Sequence, residues 1–134
     1  MPQLSKFKGN PELESKGVWV DYGEGLEFLI AKMSNPQYMA EIRKQVREKR
    51  VQFRHGKVSD EETEEMTIKA VAKTVLLGWK NLQGEDGKDI PYSQEKAYEI
   101  LSDPCYRDLY TFIIEVSAEK ETFALEARKE AVGN

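Results

Sequence analysis

The sequence predicts a mainly α fold, α+β in class: a single domain of about four helices with a small N-terminal β-hairpin. Three observations predict it. The 134 residues suit one compact domain. Several segments begin with a capping residue and continue with apolar side chains at helical spacing. One early stretch is rich in β-favouring residues around a glycine-bearing turn. Hydrophobic residues make up 40% of the chain, enough for a core. Charged residues make up 33%, which points to well-solvated helical surfaces.

Residues 1–16 are polar, hold Pro2, Gly9, Asn10 and Pro11, and show no period. They read as a flexible N-terminal arm, with the domain spanning 17–131. Val18, Trp19, Val20 and Tyr22 favour a strand, and Asp21-Tyr22-Gly23-Glu24-Gly25 is rich in turn residues. Leu26, Phe28 and Ile30 then alternate with their neighbours, so 17–32 reads as a hairpin. A lone hairpin is marginal in water and has to lie on a helix or pair with another chain.

Asn35-Pro36 starts a helix, with Asn as the cap and Pro at the first position, running to about Arg54. Its apolar stripe, Met39, Ile42, Val46 and Phe53, is narrow on a polar helix. Gly56 terminates it. Ser59-Asp60-Glu61-Glu62 is a capping-box pattern. The helix it opens carries Ile68, Val71, Ala72, Val75, Leu76, Trp79 and Leu82, the broadest stripe in the chain, and reads as the central core helix. Gly78 inside it costs about 1 kcal/mol relative to Ala, and marks a close approach or local strain. Residues 83–92 form a turn segment. Ser93 caps a short helix through Leu101, and Ser102-Asp103-Pro104 introduces a long last helix with Tyr106, Leu109, Phe112 or Ile113, Val116, Phe123 and Ala127 on its stripe.

The composition removes whole classes of chemistry. One cysteine, Cys105, allows no intramolecular disulfide and no cysteine cage for a metal. One histidine, His55, allows no two-histidine zinc site. No run approaches the roughly 18 apolar residues of a membrane span, and the first residues lack an apolar signal core. The expected setting is a reduced cytoplasm, with no cofactor, no metal and no membrane partner. Glu85-Asp86-Gly87-Lys88-Asp89 lacks the spacing of a calcium loop, and Gly84-x-x-Gly87 lacks the ending of a phosphate loop. Asp21, Glu24 and Glu27 read as turn carboxylates. Cys105 sits in a helical first turn, where the dipole lowers a thiol pKa, but no spacing pairs it with His55. Such an inventory favours a binding or assembly protein over an enzyme.

Two groups of residues are candidate partner contacts. Between Glu41 and Lys57 stand seven basic and two acidic side chains, with Arg43, Arg47, Arg50 and Arg54 among them. This segment either complements the acidic Asp60–Glu65 start of the next helix or offers an electropositive face to an acidic partner or a second copy. Direct nucleic-acid binding is disfavoured, because only Phe53 interleaves the basic residues. The second group is aromatic: Trp79, Tyr92, Tyr110 and Phe112 belong to a crowd that fills a core or anchors a helical partner.

The run from Thr74 to Phe123 resembles the tail assembly chaperones of long-tailed bacteriophages. The resemblance rests on Leu76-Leu77-Gly78-Trp79, a Gly-bearing loop, Ile90-Pro91-Tyr92-Ser93, a short helix with Glu95 and Leu101, Asp103-Pro104, and an aromatic helix with Leu109, Phe112, Ala118 and Phe123. The opening GVWVDYGEGLEFLIAKMSNPQYMAEIRKQVREK is similar to the start of the same family, a hairpin and then a basic helix. The resemblance implies a mainly helical, self-associating protein. It would bind the helical tape measure protein in the host bacterial cytoplasm until the tail tube polymerises, and be absent from the mature virion. It implies no catalytic residues. Two alternatives stay open: a small DNA- or RNA-binding regulator using the basic helix 43–57, and a structural tail or head-completion protein.

Overall fold

A computed structural model describes residues 3–124. Its elements, in order, are α1 (Pro11–Lys16), β1 (Val18–Gly23), β2 (Leu26–Ile30), α2 (Pro36–Glu48), α3 (Arg50–Arg54), α4 (Asp60–Thr74), β3 (Leu76–Lys80), α5 (Gln94–Ser102) and α6 (Arg107–Ala118). A 3₁₀ turn at Leu4–Phe7 precedes α1, and another at Pro104–Tyr106 leads into α6. The architecture is a mostly helical single domain around a three-stranded antiparallel sheet of order β1-β2-β3.

The hairpin forms as its turn residues require. Glu24 and Gly25 both take positive φ, +56° and +83°, the pair of left-handed residues that matches the twist of two antiparallel strands. The Asp21 carboxylate accepts the Gly23 N–H at 2.8 Å, where the register slips by one residue. Phe28 and Ile30 on β2 are fully buried beneath Val71, Val75, Ala97, Leu101 and Ile113. The hairpin therefore lies on helices, and it also gains a third strand.

That third strand departs from the sequence expectation. The core helix was expected to continue through Leu82, but α4 ends at Thr74 and Leu76–Lys80 pairs with β2. The run Val75-Leu76-Leu77 is continuously apolar after the β-branched Thr74, and such a run carries no period that separates a helix from a buried strand. Gly78 consequently sits in a strand, where the Trp19 indole lies across it and a Cβ would be in ordinary contact at 3.6 Å. Lys80 Nζ stands 4.0 Å above the same indole. The carbonyls left open at the end of α4 are met from outside: Ala31 N–H donates to Val75 O at 2.8 Å, and the Asn35 amide donates to Thr74 O at 3.1 Å.

The N-terminal segment also differs from a formless arm. Asn10 caps α1 through the Leu13 N–H, and Leu13 is buried with Val18 and Phe123. Glu14 accepts the Lys32 N–H at 2.7 Å through its backbone carbonyl, and its carboxylate pairs with Lys32 Nζ at 3.5 Å. A single apolar side chain at residue 13 has no period to reveal, yet it is enough to dock a capped turn. At the other end, α6 stops at Ala118, earlier than expected, and the chain is helical again at 120–124. Phe123 reaches the Leu13 cluster. Ala127 and the rest of 125–134 lie outside the described residues.

Candidate functional site

The basic helix is built from strong local signals. Asn35 is buried, and its side chain makes three hydrogen bonds: it accepts from the Tyr38 N–H at 3.0 Å and donates to Lys32 O and Thr74 O. It caps α2 and fastens it to the end of α4 at once. The expected single helix to Arg54 breaks at Lys49, whose φ of −107° interrupts the regular geometry between α2 and α3. The interruption is mild, since the Lys49 N–H still bonds to Gln45 O and the Phe53 N–H to Lys49 O.

An amphipathic helix ordinarily turns its apolar side chains inward. Here Tyr38 packs on the core at the start of the inward face, and the rest of that face is mostly polar. Glu41 and Gln45 are buried against α4, where Gln45 Nε2 donates to Met66 O at 3.1 Å and Glu41 pairs with Lys73 at 3.0 Å. Lys49 pairs with Glu62 at 3.4 Å. The apolar residues point away: Met39, Val46 and Phe53 keep 41%, 39% and 40% of their surface in solvent, and Val51 keeps 64%. Ile42 is half-buried.

The outward row runs Met39, Arg43, Val46, Arg50, Phe53, at alternating spacings of four and three, and all five residues are exposed. The sequence reading placed the arginines and the apolar stripe in this segment, but missed that they share one face. The four-three spacing itself carried the signal, once arginine was allowed at two of its five positions. Val51 was missed altogether, and it has no periodic partner that would have drawn attention to it. Complementation by the next helix is limited to Lys49–Glu62: among the described residues Arg43, Arg47, Arg50 and Arg54 make no ion pair.

The four aromatic candidates are placed differently. Trp79 is buried, not an exposed anchor; its indole N–H donates to Ile90 O at 2.7 Å, and Tyr92 meets it edge-on at 4.9 Å. Tyr92 is half-buried and its hydroxyl donates to Leu76 O at 2.8 Å, closing the outer edge of β3. Burial, with the Glu95 charge adding to it, raises the Tyr92 pKa. Tyr110 is half-buried under the Arg107 guanidinium, 5.4 Å from its ring centre. Burial is also the main reason its pKa is raised, and Glu64 pushes the same way while Arg107 opposes it. Phe112, half-buried, packs on Tyr22 at 4.9 Å and on Phe28 at 6.1 Å. These rings hold the sheet to its helices and its loop; they do not join the basic row.

The remaining chemistry is sparse. Cys105 is exposed, and the Asp103 carboxylate beside it raises its pKa, opposite to the dipole effect expected from the sequence. Its amide N–H donates to the same carboxylate at 2.9 Å. Among the described residues, no cluster of three or more His, Cys, Asp or Glu is placed to hold a metal ion. No described helix is long and apolar enough to cross a membrane.

Comparison with known proteins adds one finding. Residues 33–134 match the family described as YdaY prophage protein. The chain belongs to that family. No curated protein and no solved structure matches it. The YdaY match opens at Met33, two residues before the Asn35 cap, and takes in the basic helix, α4, β3, α5 and α6. The exposed row of α2 and α3 therefore lies within the matched residues.

Proposed function

We propose that this prophage-encoded protein is a non-enzymatic tail assembly chaperone that binds the tape measure protein and keeps it soluble during tail morphogenesis. One observation carries the reading: the most apolar row of α2–α3 faces solvent, flanked by arginines that no carboxylate within the described residues neutralises. A client-binding protein needs such a surface, soluble when empty and adhesive to an amphipathic helix. Membership of a prophage family and the resemblance carried by Leu76–Phe123 support the same reading. On this account the protein works in the host bacterial cytoplasm, self-associates, and is left out of the finished virion.

Co-expression with the tape measure protein of the same prophage tests the proposal. The expected result is a soluble client that co-purifies with this chain and precipitates without it. Equal solubility of the client in the absence of the chain, with no complex isolated, contradicts it. Mass spectrometry of purified particles separates the chaperone from a structural tail or head-completion protein, since only the latter is retained in the virion.

A further inference from the structure

We infer that the row Met39, Arg43, Val46, Arg50 and Phe53 is a docking seam for an acidic amphipathic helix supplied by another protein. The inference rests on the chaperone reading for the identity of the client, but not for the seam itself. Met39, Val46 and Phe53 recur every seven residues, and Arg43 and Arg50 occupy the second position of the same heptad, all five exposed. Those are the two seam positions of a heptad, one apolar and one cationic, whereas a self-pairing coiled coil has apolar residues at both. The matching helix carries an apolar residue at one seam position and Asp or Glu at the other. At 1.5 Å rise per residue, it covers the row with about four turns.

Charge selects among the occupants. The segment from Glu41 to Lys57 holds seven basic and two acidic side chains. A second copy laid along the same row adds more guanidinium groups and brings no carboxylate to meet them, which is unfavourable. Residues 125–134 hold two acidic and two basic side chains and bring no complementary charge. A nucleic-acid backbone neutralises the arginines but leaves Met39, Val46, Val51 and Phe53 uncovered. An acidic amphipathic helix satisfies both the charge and the apolar surface. The buried side of α2 supports the same orientation: Glu41 and Gln45 are fixed to α4 through Lys73 and Met66 O, contacts that turning the apolar row inward would break.

The test uses the full chain and a synthetic three-heptad peptide with Leu at one seam position and Glu at the other. A second peptide has Lys in place of each of those Glu residues. The Glu peptide is expected to bind, and the Lys peptide not. Val46→Asp is expected to weaken binding at least about tenfold. The pair Arg43→Glu and Arg50→Glu is expected to reverse the preference, accepting the Lys peptide and losing the Glu peptide. All three positions are exposed, so thermal midpoints should match the unaltered protein, and that match is a condition of the comparison. Binding of neither peptide, equal binding of both, or indifference to Val46→Asp overturns the inference. So does a dimer of the unaltered chain that Val46→Asp dissociates, or displacement of the Glu peptide by duplex DNA. The two readings fail separately. If the Glu peptide binds as expected but the tape measure protein is equally soluble without the chain, the seam stands and the chaperone reading falls. If the client is rescued equally by Val46→Asp, the chaperone reading stands and the seam falls.

Discussion

Helices α4 and α2 lie antiparallel and touch along their length, yet they are organised oppositely. On α4, Ile68, Val71, Ala72 and Val75 of the adjoining turn enter the core, while Asp60, Glu61 and Glu65 are exposed and Glu62 reaches across to Lys49. On α2, Glu41 and Gln45 face inward, while Met39 and Val46 face water. The first arrangement follows from burying apolar area, worth roughly 25 cal/mol per Å². The second does not, and its polar contacts need an exact capping residue, Asn35, to fix the helix in that orientation. An amphipathic helix held with its apolar row outward has a use for that row beyond folding.

Substitutions at the contacts of the two helices should have unequal effects. Phe28→Ala removes a fully buried ring from beneath α4 and should cost about 3–5 kcal/mol in denaturant unfolding. Asn35→Ala should cost about 2–3 kcal/mol, because it removes a cap and leaves the buried Thr74 carbonyl short of a donor. A loss below about 0.5 kcal/mol would mean that α2 is not fastened through this residue.

Tyrosine ionisation gives a pH test of the interior. Tyr38, Tyr92 and Tyr110 all have pKa values raised by burial. Above the ordinary value near 10, the unfolded chain has released protons that the folded chain still holds, so stability falls as pH rises through that range. Tyr92→Phe should flatten this alkaline decline while lowering neutral-pH stability by about 1 kcal/mol, the usual worth of a hydrogen bond such as the one to Leu76 O. An alkaline slope unchanged in Tyr92→Phe would place that hydroxyl in solvent.

Smaller effects sharpen the contrast. Glu24→Asn should stabilise the hairpin by about 0.5 kcal/mol, since Asn adopts the left-handed conformation more readily than Glu. Val46→Asp should change stability least, by less than about 0.5 kcal/mol, although the same change in the α4 core would be severe. A large loss from Val46→Asp would show that the outward face of α2 is buried in the folded protein.

Much of the fold was legible. Capping chemistry at Asn35, Ser59, Ser93 and Asp103 marks helix starts at or within a few residues of those observed. Glu24-Gly25 marks the hairpin turn. What escaped was set by tertiary contact. Leu76–Lys80 is a strand because β2 offers an edge, and a run buried on both faces has no alternation to read. Leu13 docks α1 through Val18 and Phe123, which are remote in sequence. The four arginines were legible as a charge cluster, but the orientation of their helix depends on Gln45 and Glu41 finding partners on α4, at Met66 and Lys73. Trp79 and Tyr92 read from sequence as core residues with a partner-anchoring role left open, and the Ile90 and Leu76 carbonyls they bond place both against the fold.

If the outward row of α2–α3 is a working surface, its loss must be felt by the client. The most direct measurement is the soluble yield of the tape measure protein co-expressed with either the unaltered chain or one carrying Val46→Asp and Phe53→Asp, compared once their thermal midpoints are found to match. The account predicts a soluble complex with the first and an insoluble client with the second. Equal recovery of soluble client with both would contradict it.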